Sequence, residues 1–182
     1  MVAAVRTLMG CGCTDRDLYL FDTYEGMTKP GDLDKDFLGT DGALEFEAKR
    51  TGADSSNFCY ASLEDVTNAL LSTGYPIDRI YFVKGKVEDT IPLQAPDRIS
   101  LLRLDTDWYE STKHELVHLY PSLCPGGVLI IDDYGHWQGS RAAVDEYFKD
   151  LSIPILLNRI DYTGRIGVKP MPTSIAGVIG PE

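Results

Sequence analysis

Short apolar runs separated by longer amphipathic ones give the chain its framework. Leu18 to Phe21, Ile80 to Val83, Leu101 to Leu104 (broken only by Arg103) and Val128 to Ile131 have the length and composition of buried strands. Between them lie stretches of helical period. LEDVTNALLSTG follows Ser62, a capping residue with Asp65 three positions on, and closes at Gly74. ESTKHELVHLY (110–120) gathers Leu116, Val117, Leu119 and Tyr120 on one face, and GSRAAVDEYFKD (139–150) gathers Ala143, Val144, Tyr147 and Phe148. Met1 to Met9 reads as the later turns of an amphipathic helix ended by Gly10 and Gly12, so the chain is expected to start inside an element. Strands and helices thus alternate four times before a closing hairpin, IPILLNRI and GRIGVKP, that turns at Thr163-Gly164. This predicts an α/β fold with a doubly wound, mostly parallel sheet and right-handed crossovers. One domain is expected over residues 1–170, with a tail at 171–182.

The connections are less regular. Residues 23–58 are rich in Gly, Asp, Ser and Thr, with one helical turn expected near Leu44 to Lys49, and a connection this long reads as a lid or loop. Its DLDKD run (32–36) resembles a calcium loop, but Phe37 stands where such a loop needs Gly, and Ala43 where it needs a bidentate Glu. VEDTIPLQAP is expected as a turn, and Pro125-Gly126-Gly127 as the turn into the next strand.

A net charge of −11 speaks against a nucleic-acid or anionic-membrane partner. At 182 residues, 43% hydrophobic and 25% charged, the chain suits a soluble globular protein with a real core. No run approaches a membrane span, and LMGC (8–11) is not expected to be a lipoprotein leader, because Arg6 interrupts an apolar stretch already short for one. The cysteines at 11, 13, 59 and 124 lack zinc-type spacing and read as free thiols, in keeping with a cytoplasmic protein; self-association into a homo-oligomer stays open.

The candidate chemistry sits where two strands end. Leu101 to Leu104 runs into Asp105 and Asp107, and Val128 to Ile131 runs into Asp132 and Asp133. Ligands collect outside the carboxyl ends of parallel strands, so adjacent strands would bring these four acids to one rim. Like charges at close range raise each other's pKa, and a hard divalent cation such as Mg²⁺ is the simplest counter-charge. One acid of the Asp105 and Asp107 pair could ligate while the other takes a proton. Arg103, on the same strand face as Asp105, is expected to pair with a carboxylate, and His136 lies close enough to reach a substrate. Asp22 ends an early strand, the position from which an acid accepts bonds from ribose hydroxyls. His114 and His118 share a helical face but read as a surface pair, and Tyr134, Trp108 and Trp137 read as either an aromatic floor or a cover for the sheet end.

FDTYEGM, RLDTDWYEST and IDDYGHWQGSRAAVDEYF, in that order, resemble the macrocin O-methyltransferase family, and the likeness runs from about Val2 to Lys169. The resemblance implies a class I S-adenosylmethionine-dependent methyltransferase (Rossmann-like) fold. It implies transfer of a methyl group from S-adenosylmethionine, with Mg²⁺, to a hydroxyl of a sugar-like or macrolide-like small molecule of antibiotic biosynthesis. By the same resemblance Asp105, Asp132 and Asp133 hold Mg²⁺, Asp107 is the general base, and Asp22 binds the cofactor ribose. Gly85 and Lys86 lie near its adenine. The family opens with a strand and a glycine-rich turn at the centre of the sheet, and the first strand readable here matches the strand after them. A gap or distorted pairing is therefore expected between the strands ending at Asp22 and Asp105, with weak cofactor binding by these 182 residues. Two other readings stand beside this one. DTDWY resembles the nucleophile motif of haloacid-dehalogenase-like phosphatases, though with Tyr109 in place of Thr or Val, and a non-catalytic truncated relative would keep the fold alone.

Overall fold

The apolar runs become strands, and the amphipathic runs the helices that cover them, in the computed structural model, which describes residues 1–151 and 155–171. Chain order is α1 (Val2–Gly10), β1 (Leu18–Asp22), α2 (Gly42–Ala48), α3 (Leu63–Leu71), β2 (Ile80–Lys84) and α4 (Val87–Thr90). There follow β3 (Ile99–Leu104), α5 (Tyr109–Leu119), β4 (Leu123–Ile131), α6 (Gln138–Asp150), β5 (Asn158–Arg159) and β6 (Arg165–Val168).

β1 runs parallel to β2 with Asp22 opposite Lys84, and β3 runs parallel to β4 with Leu104 opposite Ile131. β6 lies antiparallel on the other edge of β4, and β5 on β6. Among the described residues no ladder joins β1 to β3, so the strands form two sheets, β1–β2 and β3–β4–β6–β5. The break expected between the strands ending at Asp22 and Asp105 is present.

The core divides in the same way. Leu102, Leu104, Leu129 and Ile131 from β3 and β4 pack with Leu116, Tyr120, Val144 and Phe148 from α5 and α6 and the turn after α5. Val5 of α1 and Leu70 of α3 pack with Ile80 of β2, joined by Leu18 and Leu20 of β1. Phe21 leans across onto the first group. Burial of such side chains from water is what holds the helices to the sheets.

Several connections differ from expectation. VEDTIPLQAP is not only a turn, because Val87–Thr90 forms a short helix with Val87 and Thr90 buried. Pro125-Gly126-Gly127 lies within β4, where the pairing with β3 shifts register between Ile99 and Leu101. In the closing hairpin only Asn158–Arg159 is strand among the described residues of the first segment; the Asp161 carboxylate accepts from the Thr163 and Gly164 N–H groups at 2.9 and 2.6 Å and folds the turn. Ile153 and Pro154 of that expected strand, and the expected tail from 172, lie outside the described residues. The long connection, residues 23–58, has its own local order. Asp41 caps α2, Phe46 is fully buried, and Gly26 takes φ +80° where a Cβ would stand 1.7 Å from the Ser56 carbonyl oxygen.

Glu115, on α5, is 5% exposed and accepts one bond, from Thr106 Oγ1 at 3.0 Å. Burial pushes its carboxyl up to about 8, against the single opposing effect of that bond and with the help of nearby acids. A raised carboxyl favours the protonated folded state, so its contribution is complete below the unfolded value near 4.3 and is lost as pH rises through about 8. Glu115→Gln is therefore expected to remove part of the decline in stability across that window. In urea unfolding at a series of pH values, the wild type should fall relative to the variant by up to ~1.4 kcal/mol per pH unit. Parallel curves would show that Glu115 ionises freely.

Candidate functional site

The parallel pairing of β3 with β4 carries the acidic residues to one rim, because both strands end in the same direction and each side chain follows the last ladder residue. The Asp132 N–H still donates to the Leu104 carbonyl at 3.0 Å, which holds the two strand ends in step. One carboxylate oxygen each from Asp105, Asp107 and Asp133 lie within 4.8 Å of one another. Asp132, expected in this group, is instead drawn to Arg103, whose Nη2 stands 2.9 Å from Asp132 Oδ1. Arg103 also pairs with Asp105, so one guanidinium bridges the ends of both strands. In this arrangement Asp107 occupies the place expected for Asp132.

Burial pushes the Asp107 and Asp133 carboxyls well above the carboxylate range. For Asp133 the neighbouring Asp107 charge adds to the rise; for Asp107 the contacts with Asp133 and Trp137 pull the other way. Asp105 is raised as well, by burial, against the attraction of Arg103. Asp107 holds its backbone at φ +65°, a left-handed conformation uncommon outside glycine, which turns its carboxylate into the cluster. The donors are all oxygens and the negative charge exceeds what one guanidinium balances, so the residues present suit a hard divalent cation.

Asp22, Gly85 and Lys86 meet at the ends of β1 and β2. The Gly85 N–H donates to the Asp22 carbonyl at 3.0 Å, and the Asp22 carboxylate accepts the Tyr24 N–H at 2.7 Å. Gly85 has φ +144°, and a Cβ there would stand 2.9 Å from Thr90 Cγ2. The Lys86 ammonium pairs with Asp54 at the wall of a cleft of about 410 Å³ that Thr28, Lys29, Trp108 and Glu110 also line. That cleft runs from the β2 end toward the start of α5.

His136 directs its ring toward aromatic neighbours, while its backbone N–H donates to the Asp133 carbonyl at 3.0 Å. Its Nδ1 is 2.7 Å from the Tyr162 hydroxyl, and its ring lies beside Phe37, Trp137 and Tyr162. Trp108 and Trp137 are buried and meet edge to face at 4.8 Å, so they cover the sheet end, whereas Tyr134 turns away and donates to Asp145 at 2.6 Å. His114 and His118 are neighbours on α5, and His114 Nε2 lies 3.0 Å from the Ile91 carbonyl oxygen.

Asp34 escaped the reading of the sequence. It is 1% exposed, and its carboxylate accepts the Tyr109 and Gly31 N–H groups, each at 2.7 Å. The signal was indirect: α5 and α6 start after Trp108 and Trp137, residues that offer no oxygen to cap a helix, so caps had to come from elsewhere.

Sheet, crossover helices and a rim of functional residues at the strand ends make this the class I S-adenosylmethionine-dependent methyltransferase fold. The O-methyltransferase NovP shares it with a TM-score of 0.77 and 26% identity, over 93% of this chain and 66% of that one. The chain belongs to the macrocin-O-methyltransferase (TylF) family, whose sequence pattern matches residues 1–166. It is 33% identical over 153 residues to the 8-demethyl-8-(2,3-dimethoxy-alpha-L-rhamnosyl)-tetracenomycin-C 4'-O-methyltransferase of Streptomyces olivaceus, covering 84% of this chain and 55% of that protein. It is 29% identical over 150 residues to the demethyldecarbamoylnovobiocin O-methyltransferase of Streptomyces niveus, covering 82% and 54%. The chain spans about half the length of the curated relatives it matches.

Crowded carboxylates cost stability when no cation balances them. Asp133→Asn is expected to stabilise the protein in a chelator by about 1–2 kcal/mol above neutral pH, read by urea unfolding. An Asp133→Asn variant less stable than the wild type would mean that the carboxylate is satisfied by its neighbours.

Proposed function

We propose that this chain carries the acceptor-side carboxylates and part of the cofactor site of an S-adenosylmethionine-dependent O-methyltransferase. Its acceptor in this reading is a hydroxyl of a sugar or other small molecule, as the names of the relatives from Streptomyces olivaceus and Streptomyces niveus suggest for those proteins. The single observation that carries the reading is the convergence of Asp105, Asp107 and Asp133 within 4.8 Å at the ends of paired parallel strands. Asp105, Asp132 and Asp133 are the residues that would hold Mg²⁺, which requires Arg103 to release Asp132 so that its carboxylate can turn toward the other two; Asp107 stays beside them as the base. When bound there, the cation supplies Lewis acidity that lowers the pKa of a neighbouring hydroxyl.

The chain's own residues have separate tasks. Asp107 takes the proton from the acceptor hydroxyl; burial raises its basicity toward the working pH, which suits a general base. When bound, S-adenosylmethionine would supply an electrophilic methyl group for the acceptor oxygen, with its thioether sulfur as the leaving group. Trp108 and Trp137 keep water from the rim, and Asp22 with Gly85 and Lys86 orients the ribose and adenine. His136, held by Tyr162, lines the acceptor side.

Transfer of labelled methyl from S-adenosylmethionine to a panel of O-glycosides tests this reading. In a version extended by the family's opening strand and glycine-rich turn, Asp107→Asn should lower turnover by about 10²–10⁴-fold while cofactor and Mg²⁺ binding persist. Asp132→Asn should abolish Mg²⁺ binding. Near-normal rates for Asp107→Asn would move the base role to His136.

A further inference from the structure

We infer that Asp34, Lys35 and Asp36 are positioning residues that fix the spacing of the rim carboxylates, an inference that rests on reading Asp105 and Asp133 as part of a cation site. The first N–H groups of a helix have no partner within it and need one from outside. The N-cap residues of α5 and α6 are Trp108 and Trp137, and neither makes a side-chain cap. The long connection supplies both caps. The Asp34 carboxylate accepts the N–H of Tyr109, the first residue of α5, at 2.7 Å. The Lys35 carbonyl accepts the N–H of Gln138, the first residue of α6, at 2.8 Å. Consecutive residues therefore close two helices.

Further bonds fix the same segment. Gln138 Nε2 donates to the Asp36 carbonyl at 2.7 Å, Asp36 bridges to Trp137, and Trp108 Nε1 donates to the Thr28 carbonyl at 2.9 Å. At Gly139 a Cβ would stand 1.9 Å from Asp34 Oδ1, so the start of α6 has come up against the carboxylate itself. Each helix directly follows a rim loop: Asp105 and Asp107 precede α5, and Asp133 precedes α6. The cap thus ties together two loops whose carboxylates repel each other. With the cap undocked, both N–H groups lose their partners, and the acids are free to move apart. Cap docking and cation binding then favour one another, as linked equilibria must.

The edge-to-face contact of Trp108 with Trp137 reports this geometry without any assay of activity. They are the only tryptophans of the chain, so their exciton couplet in circular dichroism reads whether the two loops are held together. The test uses the full 182-residue chain, with this couplet and calorimetric titration of Mg²⁺ alone as readouts. Asp34→Ala should lose the couplet and bind Mg²⁺ at least about tenfold more weakly. Asp34→Asn keeps an oxygen for the Tyr109 N–H and should retain most of both signals. Leu70→Ala, on α3 in the separate core with Val5 and Ile80, should lower the melting temperature yet move neither. Should Asp34→Ala fail to fold, Gln138→Ala removes only the exposed bond to Asp36 and should weaken both signals in the same direction. A folded Asp34→Ala that keeps the couplet overturns the inference, as does Leu70→Ala moving both readouts equally. Absence of Mg²⁺ binding by the wild type would defeat the cation reading, while the couplet still decides whether Asp34 positions the loops.

Discussion

Mutual repulsion of carboxylates at the ends of β3 and β4 is the constraint on which the rest of the site depends. Parallel pairing brings the two strand ends side by side at Leu104 and Ile131, and with them the loops that carry the acids. Arg103 offsets part of the charge by reaching Asp105 and Asp132 at once. Burial withdraws the water that would screen the remainder, which is why the Asp107 and Asp133 carboxyls titrate high. A folded protein that keeps such an arrangement is trading stability for a prepared binding geometry.

The surroundings of the rim follow from that constraint. Asp107 adopts a left-handed backbone conformation, and the two tryptophans close over the sheet end. The segment from Thr28 to Gly42 is stitched to the starts of α5 and α6 by a buried carboxylate and main-chain carbonyls. A long connection of polar composition thereby acquires a fixed position, although it contributes few apolar side chains beyond Phe46. Asp22 and Gly85, joined by a main-chain bond, stand at the end of the other sheet.

The strands, the helices and the four acids were legible in the sequence because each depends on local pattern: short apolar runs for strands, a period of about 3.6 for helices, and position at a strand end for the acids. Arg103 between carboxylates was legible for the same reason. What stayed hidden depended on contacts distant along the chain. Asp34 looked like one acid in a polar loop, since its value comes from Tyr109 N–H, far away in sequence. The exchange of Asp107 for Asp132 in the tight cluster was equally hidden, because it turns on a positive φ at Asp107 and on the reach of the Arg103 guanidinium to Asp132. The short helix at Val87–Thr90 was masked by the prolines that follow it.

If these acids form one cation site, an ion should be visible there in crystals of the protein soaked in Mn²⁺, a carboxylate-preferring stand-in for Mg²⁺ that scatters anomalously. A single strong anomalous peak is expected, bounded by Asp105 and Asp133, with Arg103 displaced from at least one of its carboxylates. No peak at that rim, with Arg103 still bridging Asp105 and Asp132, would contradict it.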